Sequence, residues 1–357
     1  MLKPFLLHRI GQLLIPALAL SASAVFAQDE KTAPRCGKAG GPERFAAFHD
    51  NYALWNQMNN NGWAPRDERA VRGQVSVKYS IVNCPQRRDK ETHALLPAPA
   101  AAASAAEGVK TLEATDKRTT FWDRLRSAEL FVSYTNRFDF YLGSRDSGPV
   151  INRISNPGLH LRLPGTLFTD GTGDNRGAWQ VSLEHLSDGQ VVEPVYNEAD
   201  RLRAQRAYER GDRHFFDTIS RGMNYVAVQG EWVWGPSDGT APMFDIRAKA
   251  KAYVSSDSAI TWGPLAGQGL KFADYERVTV RIGTFWPGLG RFELTSQIGD
   301  SGFRHASHTV GWQHNLRSDA WNLELPLYVQ AHFGPMNTLS NYTQRQDSIG
   351  IGLRVTY

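Results

Sequence analysis

Apolar and polar residues alternate with a period of two along most of this chain. The clearest run lies at the end, where Ile349, Ile351 and Leu353 alternate with Gly350 and Gly352. Successive side chains of a β-strand point to opposite faces, so such a run predicts a strand with one apolar and one polar face. Twelve runs of this kind are present: 51–56, 72–83, 128–142, 157–164, 177–187, 220–234, 241–253, 273–283, 291–298, 306–316, 321–333 and 346–357.

The length and faces of these runs predict a membrane barrel. Many have about ten residues, which a tilted strand needs to cross a bilayer. Their polar faces carry many charges, which would be costly in the core of a soluble β-sandwich. Aromatic residues near the run ends are typical of interface girdles: Trp179, Trp232, Trp234, Trp262, Trp286, Trp321 and Tyr357. We therefore predict an all-β, twelve-stranded antiparallel transmembrane β-barrel, with a soluble sandwich as the alternative.

The first 27 residues have the pattern of a secretory signal peptide. Lys3 and Arg9 are their only charges, an apolar stretch follows, and Val25-Phe26-Ala27 resembles a cleavage site. A membrane anchor is the alternative, but the apolar stretch is short for a span. Residues 28–357 are then predicted to form a single exported barrel domain.

The amino-acid composition excludes several other classes of protein. A mean hydropathy of −0.42 excludes a helical membrane bundle, and 11% aromatic residues argue against wholesale disorder. Removal of the signal peptide lowers the net charge of +4 by two, to +2, so nucleic acid is not an expected partner. Two cysteines are too few for a disulfide scaffold or a zinc module. After export, Cys36 and Cys84 could pair or stay buried thiols, and an oxidising compartment favours pairing.

Two stretches interrupt the strand pattern. Residues 85–119 contain Pro97-Ala98-Pro99 and an alanine-rich tract, which indicates a low-complexity loop. Residues 191–216 are rich in Arg, Asp and Glu and predict a short helix or a long loop. If the N-terminus lies on the periplasmic side, the 85–119 insertion is periplasmic and the 191–216 insertion is extracellular.

Candidate chemistry lies on the fifth and sixth runs. His185 and Ser187 share the parity of the apolar residues Val181 and Leu183, so both are predicted to face lipid. Residues two apart on a strand are about 6.6 Å apart, which lets the imidazole reach the hydroxyl as the base of a nucleophile–base pair. Asn224 shares the apolar parity of its own run. A lipid-facing Ser, His and Asn would suit an enzyme whose substrate is a lipid.

These segments resemble a known family. The stretch from Glu184 to Gln190, with His-x-Ser-x-Gly, and the later Ser220-Arg221-Gly222-Met223-Asn224 resemble outer-membrane phospholipase A, a twelve-stranded barrel. Asp50-Asn51-Tyr52 resembles its first strand, residues 133–149 its third strand and the following loop, and residues 327–352 its last hairpin. The resemblance covers roughly residues 43–357, apart from the two insertions.

The resemblance implies a catalytic mechanism. Ser187 would be the nucleophile, His185 the general base and Asn224 the residue that orients the imidazole, while the Gly189 amide would donate to the oxyanion. It also implies hydrolysis of acyl esters in phospholipids and lysophospholipids, in the bacterial outer membrane with the active site toward the outer leaflet.

The resemblance further implies calcium as a cofactor and a calcium-linked homodimer. The matching ligand positions are the Gln190 carbonyl, the Ser220 hydroxyl and the Ser147 hydroxyl from the second subunit, and Asp217 matches an acidic position of a second calcium arrangement. The 191–216 insertion departs from the family between Gln190 and Ser220. Gln190 stands where Arg is usual, and the stretch 268–270 lacks a second acidic partner.

Two other functions remain compatible with a barrel. A passive channel or transporter would conduct ions and hydrolyse no ester. An adhesive or structural barrel would bind a partner through the 191–216 insertion. We predict a calcium-dependent phospholipase and keep the channel and the adhesive barrel as alternatives.

Overall fold

The computed structural model describes a defined set of residues. These are 44–59, 68–83, 128–141, 150–165, 176–188, 202, 206, 210, 221–236, 241–256, 271–318, 323–339, 342–343 and 345–355. Contacts divide the chain into two units, Met1–Arg35 and Cys36–Tyr357, and every described residue belongs to the second. The predicted signal peptide, both cysteines and the 85–119 insertion lie outside the described residues.

Thirteen strands and one short 3₁₀ helix, η1 (Phe272–Asp274), make up the described elements. The strands are β1 (Phe45–Ala47), β2 (Asn51–Asn59), β3 (Glu68–Asn83), β4 (Glu129–Tyr141), β5 (Val150–Pro164), β6 (Arg176–Ser187), β7 (Gly222–Trp234), β8 (Met243–Ser256), β9 (Val278–Trp286), β10 (Gly290–Gly299), β11 (Gly302–Ser318), β12 (Leu323–Phe333) and β13 (Asp347–Val355). No helix among these residues is long and apolar enough to cross a membrane.

Strands β2 to β13 form a closed antiparallel barrel. Each pairs with the next along the chain, and β13 pairs back onto β2. Closure leaves no exposed strand edge, as a sheet in lipid requires. The predicted twelve-stranded antiparallel barrel is therefore confirmed, with one strand for each alternating run. We call the end where β6 finishes and β7 begins the site end.

The structure departs from the predicted runs at three places. Strand β5 begins at Val150, earlier than the predicted run at 157–164. A bulge opposite Arg137–Asp139 breaks the alternation there, so that both Ile151 and Ile154 are buried. Helix η1 replaces the start of the eighth run. The unpredicted β1 pairs with β3 beside the start of β2.

The two faces of the barrel wall have opposite chemistry. On β6, Val181 and Leu183 are 46% and 58% exposed, whereas Ser182 and Glu184 are 3% and 4% exposed. The exposed apolar residues face outward, as in a barrel whose outer wall contacts lipid, and the polar residues face the lumen. The predicted alternation of faces is confirmed here.

Ion pairs fill the lumen in the described part of the barrel. Asp50 lies 3.5 Å from Arg281 of β9 and 3.7 Å from Arg354 of β13, so it links distant parts of the wall. Buried charges are stable only when paired, and these residues are paired across the lumen. Further pairs include Arg72–Asp139, Lys78–Glu129, Lys249–Glu184, Lys251–Glu276, Arg247–Glu231, Arg291–Asp245 and Arg354–Glu293.

An apolar cluster covers the lumen at the site end. The rings of Phe272 and Tyr275 lie 5.4 and 5.3 Å from the ring of Tyr342, and Met223 and Tyr225 of β7 belong to the same buried cluster. In a 3₁₀ turn residues three apart lie on one side, so Phe272 and Tyr275 both point into the barrel. The lumen is therefore packed at this end by side chains from the wall and the connecting segments.

One part of the 191–216 insertion is described. Leu202 and Arg206 have helical geometry, and the Arg210 amide donates to the Arg206 carbonyl at 3.1 Å. The choice between a short helix and a long loop for the whole segment stays a prediction.

Candidate active site

The pairing of β6 with β7 brings the predicted triad residues to one patch of the outer wall. His185 is directly opposite Asn224, and Ser187 is directly opposite Gly222. His185 and Ser187 continue the outward row of Val181 and Leu183, so they share the lipid-facing side. Directly opposite residues of antiparallel strands have Cβ atoms about 4.5–5.5 Å apart.

A hydrogen bond joins His185 to Asn224. The His185 Nδ1 atom lies 2.9 Å from the Asn224 Oδ1 atom. An amide oxygen can only accept, so Nδ1 carries the proton and donates it to Asn224. In the neutral imidazole this leaves the Nε2 lone pair as the acceptor, which is the tautomer that a general base needs. The structure thus brings these two residues together as the sequence predicted, while their catalytic roles remain predictions.

Asp188 ties the two strands together immediately after Ser187. Its amide donates to the Arg221 carbonyl at 3.0 Å, and its carboxylate accepts from the Arg221 amide at 2.7 Å. Asp188 is fully buried, so water does not compete for these bonds. This reciprocal pair fixes the end of β6 and hence the backbone that carries Ser187.

Lumenal side chains support the His185 backbone from the other side of the wall. Asn156 of β5 donates its side-chain amide to the His185 carbonyl at 2.8 Å. Pairing between β5 and β6 is interrupted at this point, where the next residue, Pro157, has no backbone N–H to donate. The Tyr225 hydroxyl donates to Glu184 at 2.7 Å, and Lys249 donates to the same carboxylate at 2.6 Å. A satisfied polar network of this kind makes the wall behind the site rigid.

A second group of outward polar side chains lies beside Ser187. Ser155 of β5 is directly opposite Ser187, and its Oγ atom is 3.1 Å from the Tyr134 hydroxyl of β4. Asn136 donates its side-chain amide to the same Tyr134 hydroxyl at 3.4 Å. The sequence analysis did not select these residues for a role. The signal that could have found them is their lipid-facing parity on neighbouring strands.

Another outward Ser–His pair offers a comparison. The Ser296 Oγ atom of β10 lies 3.0 Å from the His308 Nδ1 atom of β11. Here the serine occupies the Nδ1 side that Asn224 occupies at His185. The pair thus lacks the arrangement of orienting amide at Nδ1 and serine at Nε2 that the predicted mechanism requires. Ser296 is therefore a matched control for Ser187.

The predicted oxyanion and calcium positions lie outside the described residues. These positions are Ser147, Gly189, Gln190, Asp217 and Ser220. Within the described ranges there is no cluster of three or more His, Cys, Asp or Glu residues that could hold a metal ion. The calcium ligands therefore stay predictions, whereas the His185–Asn224 contact is a feature of the structure.

These features define a transmembrane β-barrel of the outer-membrane type, with Ser, His and Asn on one patch of its outer wall. Outer membrane phospholipase A from Escherichia coli has the same fold, with a TM-score of 0.54 and 15% identity over 87% of this chain and 98% of that chain. An active-site mutant of that protein, in which an asparagine is replaced by alanine, gives a TM-score of 0.52 and 15% identity over 89% and 94% of the two chains.

The calcium-bound dimer of Salmonella typhi outer membrane phospholipase is also similar. Its TM-score is 0.51 at 14% identity, over 87% of this chain and 92% of that chain. At these identities the likeness shows the fold, and it confirms the resemblance to the outer-membrane phospholipase A barrel. No protein-family model matches the chain, and no curated protein sequence matches it.

The Asn224 contact leads to a graded prediction. Under the predicted hydrolase mechanism, Asn224→Ala removes the acceptor that holds the His185 tautomer, and we expect it to lower kcat for ester hydrolysis by about 10- to 100-fold. Asn224→Asp keeps an oxygen acceptor and should retain most of the activity. Steady-state kinetics of the three proteins check this. Equal rates for Asn224→Ala and the unmodified protein would show that the contact has no part in turnover.

Proposed function

We propose that this protein is a calcium-dependent outer-membrane phospholipase that hydrolyses acyl esters of phospholipids and lysophospholipids. The observation that supports it most strongly is the 2.9 Å hydrogen bond between His185 and Asn224 on the lipid-facing wall, with Ser187 two residues further along the same face. A structural barrel gains nothing from an ordered imidazole–amide pair in that position. A hydrolase whose substrate reaches it from the bilayer needs one.

The acyl chains of such a substrate have an apolar surface available. Below the site, further from the site end, the outward residues of β4 to β7 are exposed and apolar. They are Val132, Leu159, Leu161, Val181, Leu183 and Val228. A lipid lying along this surface would place its ester groups at the boundary between the apolar band and the polar site.

The proposed reaction is a two-step acyl transfer. His185 Nε2 takes the Ser187 hydroxyl proton as the oxygen attacks the ester carbonyl carbon, and the carbonyl π electrons move onto its oxygen. The tetrahedral intermediate collapses, the bond to the glycerol oxygen breaks, and His185 returns the proton to that oxygen. Water, deprotonated by His185, then attacks the acyl-enzyme in the same way and releases a fatty acid.

Asn224 and calcium would compensate for the charges that develop. A neutral amide holds the imidazole but stabilises imidazolium less than a carboxylate does. Calcium, held by the Gln190 carbonyl and the Ser220 and Ser147 hydroxyls, or with Asp217 in a second arrangement, would supply positive charge next to the oxyanion. Oxygen donors of this kind suit calcium, and the Gly189 amide would add a hydrogen bond.

The proposal includes a homodimer and an orientation. Ser147 would come from the second subunit, so calcium would link two barrels through the walls that carry the sites. With the N-terminus on the periplasmic side, β6 runs outward and the site end faces the outer leaflet. The expected role is removal of phospholipids that have entered that leaflet.

The lumen argues against the channel alternative. Asp50, Arg281 and Arg354 lie within ion-pair distance inside the barrel, and the cluster around Tyr342 covers the site end. Opening a pore would require breaking buried charge pairs, which is strongly unfavourable. We therefore expect the purified protein to give no stable single-channel steps in planar bilayers. Steady, ohmic conductance of the purified barrel would instead support the channel.

Phospholipid turnover tests the function directly. The full-length protein, folded in detergent, is mixed with a diacyl phospholipid or a lysophospholipid, and released fatty acid is measured. We expect release from both substrates. The absence of release from a sample shown to be folded and dimeric would contradict the proposal and favour an adhesive or structural barrel.

A further inference from the structure

Two rows of outward-facing residues cross the outer wall at the site. The first row, from β4 to β7, contains Asn136, Ser155, Ser187 and Gly222, which are directly opposite one another in succession. The second row, one pair further from the site end, contains Tyr134, His185 and Asn224. Ser187 therefore has a hydroxyl on its β5 side and only a glycine on its β7 side.

Two hydrogen bonds connect the side chains of Asn136, Tyr134 and Ser155 in this patch. The Asn136 amide nitrogen can only donate, and it donates to the Tyr134 hydroxyl oxygen at 3.4 Å. The Tyr134 hydroxyl lies 3.1 Å from the Ser155 Oγ atom, and either hydroxyl can be the donor of that bond. When Tyr134 is the donor, the Ser155 hydroxyl proton can point to a bound substrate.

The reacting carbonyl is the group that this proton can reach. Directly opposite Cβ atoms on antiparallel strands are about 4.5–5.5 Å apart, so the Ser155 and Ser187 hydroxyls border the same small space. When Ser187 attacks an ester, negative charge develops on the carbonyl oxygen within that space. Preformed donors aimed at developing charge are usually the largest single contribution to acyl-transfer catalysis.

We propose that Ser155 is a second oxyanion donor, which hydrogen-bonds the tetrahedral intermediate on Ser187, and that Tyr134 is the positioning residue that orients its hydroxyl. This inference rests on the proposed hydrolase function. Ser155 donates a hydrogen bond and transfers no proton, so the bond-making steps stay as described. Its contribution adds to that of the Gly189 amide and would partly offset the weak support that a neutral Asn224 gives to the imidazolium.

The test compares four variants with the unmodified full-length protein: Ser155→Ala, Ser155→Thr, Tyr134→Phe and the double variant Ser155→Ala/Tyr134→Phe. Turnover of a diacyl phospholipid in mixed micelles gives kcat and KM, and far-UV circular dichroism checks folding. The rate at which a fluorophosphonate modifies Ser187 is a second readout, because that reaction also places negative charge on an oxygen beside Ser187.

The expected pattern is specific to an oxyanion donor. Ser155→Ala should lower kcat and the modification rate by about 10- to 100-fold and leave KM within about twofold. Ser155→Thr keeps the hydroxyl and should recover most of the loss. Tyr134→Phe should lower kcat by a smaller factor. The double variant should be no slower than Ser155→Ala alone, because Tyr134 acts through Ser155.

Several results would overturn the inference. A Ser155→Ala variant with more than half of the original kcat, a loss confined to KM, or fully multiplicative losses in the double variant would each contradict it. An active unmodified protein with an equally active Ser155→Ala variant would refute only this inference. An unmodified protein without turnover would refute the proposed function, and this inference with it.

Discussion

Replacing Ser187 with alanine is expected to lower calcium-dependent fatty acid release by about four orders of magnitude or more. The variant keeps the strand, the His185–Asn224 hydrogen bond and the apolar wall, but it has no atom that can form the acyl-enzyme. The side chain lies on the outer face of β6, so losing one hydroxyl should not affect barrel closure. Initial rates on mixed micelles, with circular dichroism as a folding check, measure the effect.

Ser296→Ala is the matched control for this experiment. Ser296 also faces outward and also contacts a histidine ring, His308, at 3.0 Å. Its replacement should leave the rate unchanged, because the His308 pair has no orienting amide at the Nδ1 position. If Ser296→Ala lost activity while Ser187→Ala kept it, the assignment of the nucleophile to β6 would be wrong.

Calcium withdrawal is expected to have the second-largest effect. EDTA should reduce hydrolysis to the background rate, and added calcium should restore it, because a neutral Asn224 leaves the charge of the oxyanion and imidazolium undercompensated. Magnesium should restore it poorly, since it prefers a smaller octahedral site and gives up water reluctantly. Titration of the EDTA-treated protein with each cation, with fatty acid release as the readout, measures the difference.

Variants at the predicted ligands separate calcium binding from the catalytic residues. Ser220→Ala and Asp217→Asn should raise the calcium concentration that gives half-maximal activity, while the rate at saturating calcium falls less. Full activity in EDTA would contradict the calcium prediction and leave the catalytic assignment of Ser187 untouched. It would also identify the 191–216 insertion as the departure that separates this protein from a calcium-dependent mechanism.

Much of the fold could be predicted from alternation, because barrel strands in lipid have strictly opposed faces. Alternation does not predict a strand correctly where the parity of its residues is broken locally. The bulge opposite Arg137–Asp139 makes Ile151 and Ile154 face the same way, so the start of β5 was missed. The three-residue β1 is too short to show a period. Alternation predicts that residues such as Arg72 and Asp139 lie on the polar face of their strands. Which charged residues pair with one another depends on the register between strands, which alternation does not give.

The site was predictable only in part for the same reason. Parity placed Ser187, His185 and Asn224 on the outer wall, but the register of β6 with β7 is needed to put His185 opposite Asn224. The sequence gives Ser155 and Tyr134 no catalytic role, and only the pairing of β4, β5 and β6 brings them next to Ser187. Residues whose function depends on neighbours in other strands are recognised only when the register is known.

Covalent labelling tests the central claim most directly. The folded protein is treated with a fluorophosphonate that carries an alkyl chain, and the modified peptide is identified by mass spectrometry. We expect a single adduct on Ser187 that is slowed by His185→Ala and absent from Ser187→Ala. An adduct on Ser296 or another serine, or no adduct in protein that is folded and supplied with calcium, would contradict a lipid-facing Ser–His–Asn hydrolase.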